Sequence, residues 1–361
     1  MQRMRWSWSS LALIVLLFGC AAPTTQRVTI TDQAAKDEAE KQRDIAVKEL
    51  VEEQRRLSRI YSVLAVKAVS LCPAVGPYMG FFSMTKPATE FGAAYERVFG
   101  IQNRLTTLLV VENSPAAIAG LRQRDVILKL NGVPTTNVKS VSEIMEKIPL
   151  ETDVPMEIER GGAKLGLVVR PVKACKYPAS VNQEQVINAF ADGKEIYIAR
   201  GMMSFAKDDV ELATVLGHEM AHNTMAHIDA KKQNMGVGFL ADLAATILSR
   251  GKVSNTNFMQ LGAQAYSQEF ESEADYVGLY ILAAAGFPIE NAPAFWRRMA
   301  AAHPAGIRTN HSASHPSTPY RMLALEETVN EIKEKIAKGL PLTPNLKDGK
   351  PQRLSKEESK K

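Results

Sequence analysis

The sequence carries little excess charge: its formal net charge is +5 over 361 residues, part of it in the two ends. It lacks a basic helix and a basic patch interleaved with aromatics, which excludes nucleic acid as a main partner. It lacks the apolar hairpins of a polytopic membrane protein, and the run Leu11 to Phe18 is too short to span a bilayer comfortably. Hydrophobic residues at 45% and charged residues at 23% exclude wholesale disorder. No serine or cysteine stands in a nucleophile motif, so covalent catalysis by those groups is not expected. Cysteine and histidine are scarce, three and six in all, so a histidine pair at a meaningful spacing is informative.

What is present begins at the N-terminus. Arg3 and Arg5 precede the apolar run, which ends at Gly19 and Cys20, the layout of a signal peptide over residues 1–19. Leu17-Phe18-Gly19-Cys20 resembles a bacterial lipobox, which implies diacylation of Cys20 and attachment to a membrane by lipid. Ala21 and Ala22 follow without an aspartate, a pattern similar to Gram-negative lipoproteins of the outer membrane. The expected location is therefore the periplasm, on the inner leaflet of the outer membrane. Residues 20–31 read as a polar tether. Cys72 and Cys175 remain; in an oxidising compartment they are a disulfide candidate, with two buried free thiols as the alternative.

Residues 32–75 read as a helix packing on the rest of the chain, with Ile45, Leu50, Leu57, Ile60 and Leu64 near helical spacing. Over 76–173 the pattern changes to short β-branched runs broken by Gly, Pro and Asn. Leu108–Val111, Val126–Leu130 and Leu167–Val169 read as strands, and Val141–Ile148 as a helix. Asn113-Ser114-Pro115-Ala116-Ala117-Ile118-Ala119-Gly120-Leu121, then Arg124-Asp125-Val126-Ile127 and Asn131-Gly132, resemble a PDZ domain of the bacterial, protease-associated type. The resemblance implies that Tyr78, Met79, Gly80 and Phe81 begin a loop whose backbone N–H groups receive a peptide carboxylate. Cys72 and Cys175 flank this insert and would staple its two ends. Residues 177–340 read as mostly helical, with a strand pair near Val186–Phe190 and Glu195–Ile198. The apolar stretch Met235–Leu248 reads first as core, with a lid or a membrane-facing surface as the alternatives, and residues 341–361 as a basic, disordered tail.

Within the helical half, His218-Glu219-Met220-Ala221-His222 places two imidazoles four residues apart, on one helix face, where they can share a metal ion. Glu219, one step round the helix, is placed to take a proton from a water molecule. Glu271-Ser272-Glu273-Ala274-Asp275 opens a second helical run, from which a carboxylate completes a His₂Glu set. Asp275, one turn beyond Glu271, can accept the other ring N–H of a ligating histidine.

These motifs, with Ile187–Gly193, Arg200-Gly201-Met202 and His315-Pro316, resemble peptidase family M48. The resemblance implies an α+β architecture: a mostly helical gluzincin-type zinc peptidase domain with a small β-sheet, carrying the PDZ-like, β-rich insert. It implies one Zn²⁺ per chain on His218, His222 and Glu271, with Glu273 pointing elsewhere. It further implies substrate backbone along Asn188, Ala189, Phe190 and Ala191. His315 is expected to cap the metal, and His315 or Arg321 to stabilise the oxyanion. His227 lies off the ligand face and reads as structural; His303 and His311 stay unassigned. The expected activity is endoproteolysis of envelope proteins, with protein or peptide substrates. The alternative is a peptide-binding, chaperone-like or scaffolding lipoprotein with a closed zinc site.

Overall fold

The computed structural model describes residues 25, 27–248, 267–302, 304 and 319–347; the side chains of 238, 239, 242–248 and 267 are outside that description. Residues 1–42 and 43–361 form two compact units. In the first, the described residues are a short extended segment and the start of helix α1 (Asp32–Lys67), exposed except for half-buried Ala39.

In the second unit, the rest of α1 is amphipathic. Val47, Val51, Leu57, Ile60, Tyr61 and Leu64 are buried, and Glu49, Glu52 and Arg59 between them are exposed. Ile45, expected in this stripe, is 56% exposed, because the buried row runs instead through Val47 and Val51. Val47 and Val51 pack on Ala94 and Phe99 of α2 (Gly92–Phe99), and Leu57 to Leu64 enter the main core.

The insert starts and ends in one two-stranded ribbon. β1 (Val75–Tyr78) pairs antiparallel with β8 (Val172–Cys175), Val75 opposite Cys175. Cys72 and Cys175 form a disulfide, with Cα atoms 5.5 Å apart. Between them lies a sheet in the order β2 (Phe81–Met84), β3 (Thr106–Val110), β4 (Val126–Leu130), β6 (Val154–Arg160), β7 (Ala163–Val169), with β5 (Val133–Pro134) on β4. Alternation is clear in β6, where Val154, Met156 and Ile158 are buried and the residues between them are not. Those three join Met79, Leu105, Ile127, Leu130 and Ile144 in a separate core. Two helices of the insert are capped by their own sequence: Ser114 caps α3 (Pro115–Ile118), and Asn137 and Ser140 form a reciprocal box at α4 (Val138–Met145). Buried Asp125 is gripped by Arg160 through two bonds of 2.7 Å.

The helical half holds a three-stranded sheet, β10 (Ala189–Ala191), β11 (Ile196–Ala199), β9 (Ala179–Asn182), with β10 at one edge and antiparallel to β11. Six helices follow among the described residues: α5 (Arg200–Phe205), α6 (Asp209–Thr224), α7 (His227–Leu248), α8 (Ser267–Ala285), α9 (Ala292–Ala302) and α10 (Pro319–Ala337). Arg56 of α1 reaches Asp209 at 3.0 Å and the carbonyls of Met203 and Ala206, tying α1 to the start of α6. Arg59 completes the clamp at 2.7 Å from Asp209.

Two expectations are corrected here. Met235, Val237 and Leu240 of α7 are exposed, so the described part of Met235–Leu248 is surface, not core. The segment after 340 is not free from its first residue. Lys335 Nζ donates to Thr343 O and Asn345 Oδ1, Asn345 N donates to Tyr276 Oη, and Leu342 packs on the core. Among the described residues no helix is long and apolar enough to cross a membrane.

Candidate metal centre

Helix α6 is fixed at its start by Asp208, whose carboxylate accepts the Glu211 N–H at 2.9 Å. From Leu212 to Thr224 every residue is buried. His218 and His222 share a face, with their Nε2 atoms 3.2 Å apart. Opposite runs α8, and the two helices meet at glycines. A Cβ on Gly278 would lie 3.0–3.1 Å from the backbone of Gly217 and His218. One on Gly217 would lie 2.2 Å from Leu282 Cδ1 and 3.0 Å from the Gly278 carbonyl. This crossing lets the α8 carboxylates reach the histidines. Glu271 Oε2 is 3.3 Å from His218 Nε2, and Glu271 Oε1 is 3.4 Å from His222 Nε2.

The three donors lie within 4.8 Å of one another and are fully buried. The edge of a tetrahedron around zinc with bonds of 2.0–2.1 Å is about 3.3–3.4 Å, close to the separations found. Two imidazole nitrogens and a carboxylate oxygen also suit a borderline-soft dication. The residues therefore fit a metal ion in both distance and chemistry.

Each histidine is held on its far side. His218 Nδ1 is 3.0 Å from Asp275 Oδ1, and Asp275 receives Arg321 at 2.7 and 2.8 Å. Burial opposes charge on His218, but Asp275 and Glu271 outweigh it and push the ring up to about 9. Burial likewise pushes Asp275 up, yet Arg321 and His218 hold it below the usual carboxylate range. Burial lowers Arg321, but Asp275, Glu271 and Glu219 raise it further, keeping it charged. On the other side, His222 Nδ1 is 2.9 Å from His227 Nδ1, and His227 Nε2 is 2.8 Å from Glu273 Oε2.

Glu219 is buried on α6 between the two histidines in sequence. Ala189, Phe190 and Ala191 form β10, and the Asn188 carbonyl accepts the Ala199 N–H at 3.1 Å. Phe190 faces outward, stacked on Tyr197 at 4.9 Å. Tyr78 lies in β1 beside Tyr61, Met79 is buried in the insert core, Gly80 has φ of +78°, and Phe81 opens β2. Cys20, His303, His311 and His315 lie outside the described residues.

Arg321, expected at the oxyanion, lies beside the carboxylates of the site. Its side chain is 2% exposed, and its guanidinium is spent on Asp275, with Nη1 3.4 Å from Glu271 Oε2. It sits behind the carboxylates as a support. His227 is off the ligand face as expected, but it supports His222, and Glu273 points at it. Sequence reasoning also missed Lys231, whose Nζ is 4.0 Å from Glu271 Oε1; its one signal is a spacing of four residues from His227 on α7.

Comparison with known proteins agrees with this geometry. Residues 159–329 match the model of peptidase family M48, and residues 107–160 match a PDZ domain. Mitochondrial metalloendopeptidase OMA1 of Schizosaccharomyces pombe is 31% identical over 175 residues, covering 47% of this chain and 51% of that protein. The beta-barrel assembly-enhancing protease of Yersinia pestis is 30% identical over 133 residues, covering 33% and 27%. The chain thus spans about half the length of the first relative and about a quarter of the second. A solved HtrA3 PDZ domain bound to a phage-derived ligand covers 27% of this chain and 88% of that one, at 20% identity and a TM-score of 0.23. The match to peptidase family M48 over residues 159–329 thus takes in just under half of the chain, with the PDZ match over residues 107–160 ahead of it.

Proposed function

We propose that this protein is a zinc-dependent metalloendopeptidase. The observation that carries the reading is the convergence of His218, His222 and Glu271 at tetrahedral-edge distances, with Glu219 on the same helix. When bound there, Zn²⁺ supplies Lewis-acid polarisation of the scissile carbonyl and of the attacking water. Glu219 takes a proton from that water and delivers it to the leaving amine nitrogen. Asp275, backed by Arg321, holds His218 in the tautomer that offers Nε2. Asn188 and β10 orient the substrate backbone by strand addition.

The substrates are proteins of the bacterial envelope. The resemblance to the beta-barrel assembly-enhancing protease supports this, as does the lipobox-like Leu17–Cys20, which favours a chain anchored by lipid on Cys20 at the outer membrane. The loop Tyr78–Phe81 receives substrate C-termini; the positive φ at Gly80 and the place of β2 at a sheet edge support that role.

The test is casein cleavage with metal analysis. Wild type is expected to bind one Zn²⁺ per chain and cleave, to lose activity on chelation, and to lose it in Glu219→Gln with zinc retained. Wild-type cleavage rates in Glu219→Gln would refute the mechanism. Zinc uptake without cleavage of any protein would favour the scaffold reading.

A further inference from the structure

The two histidines of the metal centre are supported by different chemistry, and the second support is not explained by the peptidase motif. His218 leans on a carboxylate, Asp275. His222 leans on another imidazole, His227, and through it on Glu273. Two ring nitrogens at 2.9 Å make a hydrogen bond only when one carries the proton and the other the lone pair. If His222 Nε2 is to present a lone pair towards His218 and Glu271, its proton must sit on Nδ1. His227 Nδ1 is then the acceptor, so the neutral His227 ring carries its own proton on Nε2. That proton points at Glu273 Oε2, 2.8 Å away.

The local fold fixes this line. Ala226, between α6 and α7, has φ of +53°, a conformation that L residues other than Asn and Asp rarely adopt. The reversal returns the first residue of α7 onto the last turn of α6. His227 is 1% exposed and lies against the Phe270 ring at 4.7 Å and 23°, so its plane is set by packing. Glu273 is two residues beyond Glu271 on α8 and therefore faces away from the ligand set, towards α7. Its side chain is 45% exposed, and the line ends at solvent.

We propose that His227 and Glu273 are positioning residues that fix the Nδ1–H tautomer and ring orientation of His222. Neither touches the reacting atoms. The proposal rests on the reading that His218, His222 and Glu271 hold Zn²⁺. Partners of this kind are typically worth about 10–100-fold in metal affinity.

The test uses the full chain and Zn²⁺ in competition with a chelator of known affinity. His227→Leu is expected to bind one Zn²⁺ about 10–100-fold more weakly. His227→Asn should recover most of the loss, because its amide oxygen can take the His222 Nδ1–H. Glu273→Gln keeps an acceptor for His227 and should lose little. In zinc-loaded wild type, nitrogen-15 histidine spectra should show His222 protonated on Nδ1 and His227 on Nε2. Wild-type zinc affinity in His227→Leu, or a proton on His227 Nδ1 in the spectra, would overturn the proposal. The spectra decide even if His227→Leu does not fold. Wild type that binds no zinc would instead overturn the metal reading beneath it.

Discussion

Gly278→Ala tests whether the glycine crossing sets the metal geometry. The new Cβ would stand 3.0–3.1 Å from backbone atoms of Gly217 and His218. Ordinary carbon contacts are about 3.5–4.0 Å, so roughly 0.4 Å or more must be recovered. Both neighbours are helix backbone and no flexible side chain can yield, so α8 must move off α6. Replacing a mid-helix glycine by alanine gains about 1 kcal/mol in helix propensity. Overpacking costs about 1–3 kcal/mol, leaving a net loss of about 0–2 kcal/mol. The metal site is less forgiving, since ligand distances tolerate only about ±0.2 Å. Glu271 and Asp275 ride on α8 seven and three residues before Gly278 and move with it. The expected result is a modest fall in melting temperature and a loss of zinc affinity of roughly tenfold or more, comparable to removing a partner of a ligand. Chelator competition and thermal melts measure the two. A variant that melts higher than wild type and binds zinc equally well would refute the reasoning, because propensity alone would then account for the site.

Reducing the Cys72–Cys175 disulfide, or replacing both residues by alanine, opens a loop with a sequence separation of 103. The chain-entropy model puts the loss at up to about 4.7 kcal/mol, read by denaturant unfolding; identical oxidised and reduced midpoints would contradict it. Asp209 is raised by partial burial, but Arg56 and Arg59 more than offset this and hold it below the usual range. A depressed carboxylate contributes stability above its unfolded pKa and loses it as pH falls through the folded one. Asp209→Asn should therefore melt below wild type at pH 7, with a gap that closes below about pH 4; a gap independent of pH would count against the clamp. Zn²⁺ or Co²⁺ should raise the melting temperature of the chelated protein where Mg²⁺ and Ca²⁺ do not, and equal effects from all four would contradict the donor-set argument.

The parts of the molecule that follow from local spacing were legible in the sequence. His218 and His222 are four apart on a helix, Glu271 and Asp275 four apart on another, and both pairs face one point. The strands around Val126–Leu130 and Leu167–Val169 alternate or run apolar, and the structure places strands at Val126–Leu130 and Ala163–Val169. What was hidden depends on geometry that no local pattern announces. The His227 contact needs a positive φ at an alanine, which its side chain does not advertise. The function of Gly217 needs Gly278, far away in the chain and invisible until the helices are docked. Arg321 could be singled out from a family motif, but its paired bonds to Asp275, 46 residues away in the chain, could not. Ile45 failed for a simpler reason. The period was helical, but the phase of the buried row is set by Val47 and Val51 against α2.

The buried charges of the site suit the binding of a dication. Among the described residues, Glu219, Glu271 and Asp275 bring three formal negative charges into the interior, and Arg321 is the one fully buried cation beside them. Carboxylates gathered this closely repel one another, and taking each charge out of water costs several kcal/mol. Lys231 at the rim, its side chain 26% exposed, screens Glu271 only partly from 4.0 Å. Without metal, the site's own answer is to hold a proton on His218, whose ring is pushed up to about 9 against the opposing effect of burial. That proton occupies the ring nitrogen that faces Glu271. A divalent ion on the same three donors would offset the gathered negative charge and take the lone pair of that nitrogen, with the Asp275–Arg321 pair behind it. On this account Arg321 belongs to the site because it lets Asp275 be buried and charged at once, which is the condition for Asp275 to hold His218 in the ligating tautomer.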